Sequence, residues 1–99
     1  MVRVFKLHNY DLFNDHNNDY IIYNRNKTFE AGHVHLANYH TAKYLINLAY
    51  NQSMPKTNTP LYLIDSLIKI STDESYIHKL NMLKCRNTKV RRYNKTRYH

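Results

Sequence analysis

A chain of 99 residues can form one small domain, in which folding buries roughly 60 to 70% of the surface that the unfolded form exposes. Leu, Ile, Val and Phe make up 24 of the 99 residues, above the roughly 20% below which a charged chain is expected to stay disordered. The single cysteine, Cys85, excludes an internal disulfide framework, and the longest apolar run, residues 61–64, is far shorter than the ~20 residues of a membrane span.

The first 37 residues favour short strands over helices. Residues 1–7 alternate weakly, and residues 20–23 form the β-prone run YIIY. Residues 8–20 are rich in Asn and Asp, whose side chains bond to nearby backbone groups and favour turns, so a loop is predicted there. A turn after YIIY would lead into residues 28–36. We therefore predict a short N-terminal β-hairpin or irregular arm over residues 1–37.

From Asn38 the apolar period changes to that of an amphipathic helix, with Asn38 as its N-cap. His40, Lys43 and Asn47 fall on the polar arc of this helix. The helix is predicted to end before residues 51–60, which contain both prolines. Its apolar arc comprises Tyr39, Ala42, Leu45, Ile46, Ala49 and Tyr50.

Two further helices are predicted between residues 59 and 83. Thr59 and Pro60 suit the N-cap and first position of the second helix, and Ser71 with Glu74 forms a capping box that starts the third. The apolar stripe of the second helix comprises Leu61, Leu63, Ile64, Leu67, Ile68 and Ile70. The stripe of the third comprises Tyr76, Ile77, Leu80 and Leu83.

These patterns predict a mainly α fold of about three helices, with the N-terminal arm and an extended basic C-terminal tail. Asp65 and Lys69 are spaced for a weak i, i+4 attraction on the second helix. The short connection between the second and third helices should keep them adjacent. The predicted divisions are the arm at 1–37, a helical body at 38–83 and a cationic tail at 84–99.

The charge is concentrated in that tail. Residues 84–99 contain seven basic residues and no acidic one, whereas residues 1–83 contain eight basic and seven acidic residues. Repulsion between the like charges predicts an extended free segment. On a polyanion, neutralised phosphates release counterions and tyrosines can stack on unpaired bases. The predicted RNA-binding residues are Lys84, Arg86, Lys89, Arg91, Arg92, Tyr93, Lys95, Arg97 and Tyr98.

Cationic tails have other uses, which remain as alternatives. They also occur as solubilising ends, localisation signals or anchors to anionic lipid headgroups. The lipid alternative is weakened because no apolar face or lipidation signal adjoins residues 84–99.

Three histidines raise the question of a metal site. If residues 33–36 form a strand, His33 and His35 point to the same face and could share one ion. No convincing third ligand is found, and His40 falls on the polar arc of the following helix. Histidines facing solvent or RNA are the simpler interpretation, so no metal site is predicted.

No catalytic site or cofactor is predicted either. The seven acidic residues form no acid–base pair by spacing, and a single glycine, Gly32, excludes a Gly-rich phosphate loop. Cys85 has no base or enclosed pocket beside it in the sequence pattern. A non-catalytic protein is therefore expected.

A small body followed by LKCRNTKVRRYNKTRYH, residues 83–99, resembles small ribosomal proteins encoded by AT-rich mitochondrial genomes. Abundant Asn, Tyr, Lys and Ile with no Trp are typical of such genomes. The resemblance implies a basic tail that penetrates folded rRNA and a body in contact with neighbouring subunits.

The expected function is thus a structural constituent of a ribonucleoprotein, a mitochondrial ribosome, that binds rRNA through its C-terminal tail. The expected partners are rRNA and neighbouring subunits, with no small-molecule substrate and no transmembrane segment, and the expected location is the mitochondrion, with the gene in the organelle. The alternative is an accessory structural subunit of a mitochondrial respiratory-chain complex, in which the tail would meet acidic protein or anionic lipid.

Overall fold

The computed structural model describes the backbone of residues 1–97 and the side chains of residues 1–87. Strands make up 23% and helices 47% of residues 1–87, so the prediction of a mainly α fold is wrong. The fold is α/β, with a four-stranded sheet and four helices. In chain order the elements are β1 (Val2–Leu7), β2 (Tyr10–Asn14), β3 (Tyr20–Asn24), α1 (Phe29–Gly32), β4 (His33–Leu36), α2 (Tyr39–Asn51), α3 (Leu61–Ile70) and α4 (Glu74–Arg97).

The four strands form one antiparallel sheet in the order β1-β2-β3-β4. Facing pairs carry one apolar row across all four strands, because Leu12 lies opposite Phe5 and Ile22, and Ile22 lies opposite Val34. Helix α2 packs against this face of every strand, and α3 packs against β3 and β4. We call this the inner face of the sheet.

Strand β2 corrects the prediction of a loop at residues 8–20. Its side chains alternate between the two faces of the sheet, with Tyr10 and Leu12 in the core and Asp11 buried on the opposite face. The Asn- and Asp-rich stretches around it form the turns at either end, where His8, His16 and Asn17 have positive φ angles of 55°, 58° and 39°. The turn chemistry was recognised, but the short strand between the turns was missed.

Strands β3 and β4 pair antiparallel, as the predicted hairpin requires, with the single turn of α1 between them. Asn24, at the end of β3, is fully buried and links this hairpin to the helices. Its Nδ2 donates to the Ile70 carbonyl at 2.8 Å, and its Oδ1 accepts from Asn9 Nδ2 at 2.7 Å and from the Asn26 backbone N–H at 2.9 Å. One carboxamide thus joins β3, the turn between β1 and β2, and the end of α3.

The predicted start of α2 is confirmed. Asn38 is the N-cap, and its Oδ1 accepts from the Thr41 backbone N–H at 3.0 Å. The stripe predicted for α3 faces the core, as do Tyr76, Leu80 and Leu83 of α4, whereas Ile77 is partly buried and lies outside the core cluster. The fully buried large apolar side chains are Leu12, Ile22, Leu45, Ile46, Ile64, Leu67, Ile70 and Leu80.

The predictions that Thr59 is the N-cap of α3, that Pro60 is its first residue and that Ser71 starts α4 are wrong. Helix α3 begins at Leu61 with Pro60 as its N-cap, and no side chain caps it. Ser71 is the C-cap of α3, with its Oγ donating to the Leu67 carbonyl at 2.6 Å. The first turn of α4 is instead capped by Asp73, whose Oδ2 accepts from the Tyr76 backbone N–H at 2.8 Å.

The predicted pairing of Asp65 with Lys69 is replaced by a contact between helices. Asp65 Oδ1 lies 2.6 Å from Lys84 Nζ, so the carboxylate of α3 meets the ammonium group of α4. Both side chains are roughly half exposed, at 52% and 41%. Such a pair stabilises by only about 0.2 to 1 kcal/mol, but it places Lys84 against the body.

The prediction of an extended tail is wrong for residues 84–97, because α4 continues as a helix to Arg97. Lys and Arg have high helix propensity. Once the first half of α4 is held by packing of Tyr76, Leu80 and Leu83, further turns need only propagation and not the costly nucleation step. Tyr98 lies outside the described residues.

Candidate nucleic-acid interface

Residues 84–97, which we call the cationic arm, form the C-terminal part of α4. Leu83 is the last buried side chain of α4 among residues 1–87, and Arg86 beyond it is exposed. As a helix the arm is about 21 Å long, whereas an extended segment of fourteen residues would reach about 46 Å. Its seven basic residues are therefore packed at about one per 3 Å of length.

The structure places the predicted RNA-binding residues unequally. Lys84 contacts Asp65, and Arg86 lies exposed beside Met82. The predictions at Lys89, Arg91, Arg92, Tyr93, Lys95 and Arg97 fall on the helical backbone of α4, and their side chains lie outside the described part of the chain.

The face of the sheet opposite α2 and α3, which we call the outer face, carries a second set of polar and aromatic side chains. The strand register arranges them in two rows that each cross all four strands. The first row is Arg3, Phe13, Ile21 and His35. The second row is Lys6, Asp11, Tyr23 and His33.

Each row begins with a cation on β1, passes an aromatic ring in its middle and ends with an imidazole on β4. The centre of the face is closely packed, since Ile21 is 3% exposed although it lies outside the core cluster. The ends are open, because Arg3 and His35 are half exposed. The outer face is thus a solid platform with polar margins.

An aromatic ladder runs along the β4 margin of this platform. The rings of Phe29 and His33 are stacked, with centroids 4.0 Å apart and planes 8° from parallel. Tyr23 lies on one side of the pair, 5.4 Å from Phe29, and His35 lies on the other, 5.2 Å from His33. Phe29 nevertheless keeps 42% of its surface exposed.

The ladder is held by hydrogen bonds to the backbone. The Tyr23 hydroxyl donates to the Lys27 carbonyl at 2.5 Å, and His33 Nδ1 is hydrogen-bonded to the Phe29 carbonyl. These contacts restrict the rings before any ligand arrives.

At the opposite margin, Asp11 is buried between two arginines. Its Oδ1 lies 3.5 Å from the Nη1 atoms of both Arg3 and Arg25. Arg25 Nη2 also donates to the His8 carbonyl. Because one carboxylate serves two guanidinium groups, this corner keeps a net positive charge.

The histidines singled out in the sequence have distinct environments. His33 and His35 do share one face of β4, while His40 lies on α2 against Tyr39. His35 Nδ1 lies 2.9 Å from Asp19 Oδ1. Among residues 1–87, no group of three or more His, Cys, Asp or Glu side chains is arranged to hold a metal ion.

Sequence reasoning did not find the outer face. Its residues come from four strands, and the strand that carries Asp11 and Phe13 was read as a loop. The alternation of Tyr10 and Leu12 with Asp11 and Phe13 was the available signal.

No helix among the described residues is long and apolar enough to cross a membrane. Comparison with protein-family models, curated proteins and solved structures found no match to this chain. By its fold and candidate site, the chain is an α/β protein with basic and aromatic side chains on one sheet face and a cationic helical arm.

Proposed function

We propose that this protein is a non-catalytic RNA-binding constituent of a ribonucleoprotein, and that the cationic arm is its main contact with the RNA backbone. The observation that carries the proposal is the separation of charge: seven basic residues and no acidic one from residue 84 onward, against a nearly neutral body. Abundant Asn, Tyr, Lys and Ile, a composition typical of proteins from AT-rich genomes, favours a mitochondrial ribosome as the ribonucleoprotein.

The helical form of the arm supports RNA over a smaller anion. Cations spaced at about 3 Å along a rod match a dense line of phosphates better than they match scattered carboxylates. Packing of Tyr76, Leu80 and Leu83 in the core sets the direction in which α4 leaves the body, and the Asp65–Lys84 ion pair lies at the base of the arm.

Helix packing at the base of the arm has a second consequence. Since Leu80 and Leu83 hold α4 against the body, binding of RNA to the arm positions the whole domain. This is the behaviour expected of a structural constituent, which contributes orientation and surface.

The test is RNA binding by the full-length chain with matched lysine substitutions. In the arm variant, Lys89→Gln is combined with Lys95→Gln; in the control, Lys56→Gln is combined with Lys69→Gln, two exposed lysines of the body. Affinity for a fluorescein-labelled RNA hairpin is measured between 50 and 300 mM KCl. The arm variant should lower the slope of log K against log salt by about 1.4 to 1.8, since each phosphate contact contributes about 0.7 to 0.9.

The control variant should keep the slope of the unsubstituted protein. Equal slopes for the two variants would show that general charge, and not the arm, binds RNA. Vesicles containing cardiolipin form a parallel arm of the experiment: retention on the vesicles without retention on RNA would overturn the proposal and favour a membrane-associated complex subunit.

A further inference from the structure

The outer face of the sheet offers rings that are ordered by contacts within the fold and are still accessible. The Phe29–His33 stack lies between Tyr23 and His35, and 42% of the surface of Phe29 is still exposed. A nucleobase has the same flat shape, and stacking on an aromatic side chain is tolerant of base identity. The aromatic ladder can therefore be extended by a base.

The cations lie at a distance that suits the backbone of the same strand of nucleic acid. Arg3 and Lys6 are on β1, and the ladder is on β4 and the adjacent α1. Neighbouring strands are about 4.8 Å apart, so β1 and β4 are separated by about 14 Å. A nucleic-acid strand crossing the sheet would meet the rings at one margin and guanidinium and ammonium groups at the other.

Acidic groups near the face do not cancel this arrangement. Asp11 is buried and paired with Arg3 and Arg25, and Asp19 is hydrogen-bonded to His35 at the margin away from these arginines. Glu30, on the exposed side of α1, is the remaining carboxylate close to the ladder. Its negative charge repels phosphates from the ladder and favours their placement near β1, while uncharged bases can still approach the ladder.

We propose that the outer face binds single-stranded RNA, with one base stacked on Phe29 and the phosphates of neighbouring nucleotides near Arg3, Lys6 and Arg25. The inference rests on the proposed function and adds a second contact to it. The arm meets phosphates of any structured RNA, whereas the outer face selects unpaired nucleotides. Bases in a duplex are already stacked on each other and cannot enter the ladder.

The proposal is tested with full-length protein and a fluorescein-labelled dodecamer of uridine, U12. Phe29→Ala should weaken binding of U12 by about 5-fold or more, because one stacking contact is lost, and should leave binding of a blunt-ended RNA duplex, which has no unpaired bases, within 2-fold. Phe29→Tyr keeps the ring and should retain the affinity. The matched control is Tyr44→Ala, a ring that is likewise 42% exposed but lies on α2.

A second readout reports position. U12 carrying 4-thiouridine is cross-linked by ultraviolet light and the protein is digested with trypsin. Cross-links should concentrate in the peptide of residues 28–43, which contains Phe29, His33 and His35. Cross-links confined to other peptides would overturn the proposal, as would equal weakening by Phe29→Ala and Tyr44→Ala.

The two proposals fail separately. If the two lysine variants have equal salt slopes but Phe29→Ala still weakens U12 binding, the proposal for the arm is wrong and the proposal for the outer face stands. The reverse result would remove the outer face and keep the arm. Circular dichroism of each variant confirms that the comparison is made between folded proteins.

Discussion

The two faces of the sheet are built from alternate residues of the same strands but use them for different purposes. On β3, Ile22 is completely buried within the core cluster, while its neighbour Ile21 is nearly as buried but lies outside that cluster. The inner face is closed by helices α2 and α3, whereas within residues 1–87 the outer face is covered by its own side chains and by Phe29 of α1. Burial alone therefore does not distinguish a residue that holds the fold from one that supports a binding surface.

The largest expected effect separates these two kinds of burial. Ile22→Ala should lower the free energy of unfolding by about 2 to 5 kcal/mol, because it opens a cavity between sheet and helices. Ile21→Ala should cost clearly less, since the side chains around it are free to settle into the gap. Urea denaturation followed by circular dichroism measures both, and equal losses would show that the outer face is as tightly constrained as the core.

The next effect concerns the link between the hairpin and α3. Asn24→Ala removes three hydrogen bonds and leaves the Ile70 carbonyl without the Asn24 donor, so a loss of about 1 to 3 kcal/mol is expected. The neighbouring Asn26→Ala, at an exposed position, is the control and should stay within about 0.5 kcal/mol. A small effect at Asn24 would mean that apolar packing alone holds the sheet to the helices.

Tyr76 tests the helical side of the core and its dependence on pH. Its hydroxyl donates to the Ser53 carbonyl at 2.7 Å, with the Leu48 carbonyl 3.2 Å away as an alternative acceptor, so Tyr76→Phe should cost about 1 kcal/mol at pH 7. Burial raises the pKa of Tyr76 above its ordinary value of 10.0, and the neighbouring Tyr10 and Tyr44 add to this.

The sign of the pH effect follows from that shift. Above pH 10, Tyr76 loses its proton in the unfolded chain but keeps it in the folded chain. The contribution of protonated Tyr76 to the free energy of unfolding is therefore fully present below pH 10 and decreases as pH rises. Burial also raises the pKa of Tyr10, so Tyr76→Phe should reduce the fall without abolishing it. Stability curves at pH 8 and pH 10.5 measure the difference, and an unchanged fall in the variant would contradict the assignment to Tyr76.

The smallest effect on stability is expected on the outer face itself. Because Phe29 is 42% exposed, Phe29→Ala should lower the unfolding free energy by only about 0.5 to 1 kcal/mol, although it is expected to weaken binding of U12. Thermal unfolding monitored by circular dichroism gives the stability term. A loss comparable with that of Ile22→Ala would assign Phe29 to the core and remove the contrast between the two faces.

Sequence reasoning succeeded where the signal is local. The stripes of α3 and α4 repeat every three or four residues, the Asn38 cap acts within its own turn, and the runs at residues 1–7 and 20–23 read as strands. The concentration of positive charge after residue 83 is likewise a property of neighbours in the chain. Such signals need no knowledge of distant residues.

The failures share a different cause. Strand β2 is stabilised by pairing with β1 and β3 on either side. In the sequence, the Asn and Asp residues that flank it favour turns, and this signal is stronger than the alternation of only five residues. Asp73, and not Ser71, caps the first turn of α4, and Asp65 pairs with Lys84 instead of Lys69. Both outcomes depend on how α3 and α4 are placed against each other, which residue spacing alone does not specify. In each case the local pattern allows more than one arrangement, and the arrangement that forms is one that makes these contacts in the folded chain.

The same division applies to the candidate interface. The sequence by itself determined the sign, amount and location of the charge in the arm, because charge is additive along a chain. Only the tertiary structure decided that Arg3, Phe13 and His35 share a row and that Phe29 stacks on His33. Strand register sets which side chains become neighbours across a sheet, and a shift of one residue would send every one of them to the other face.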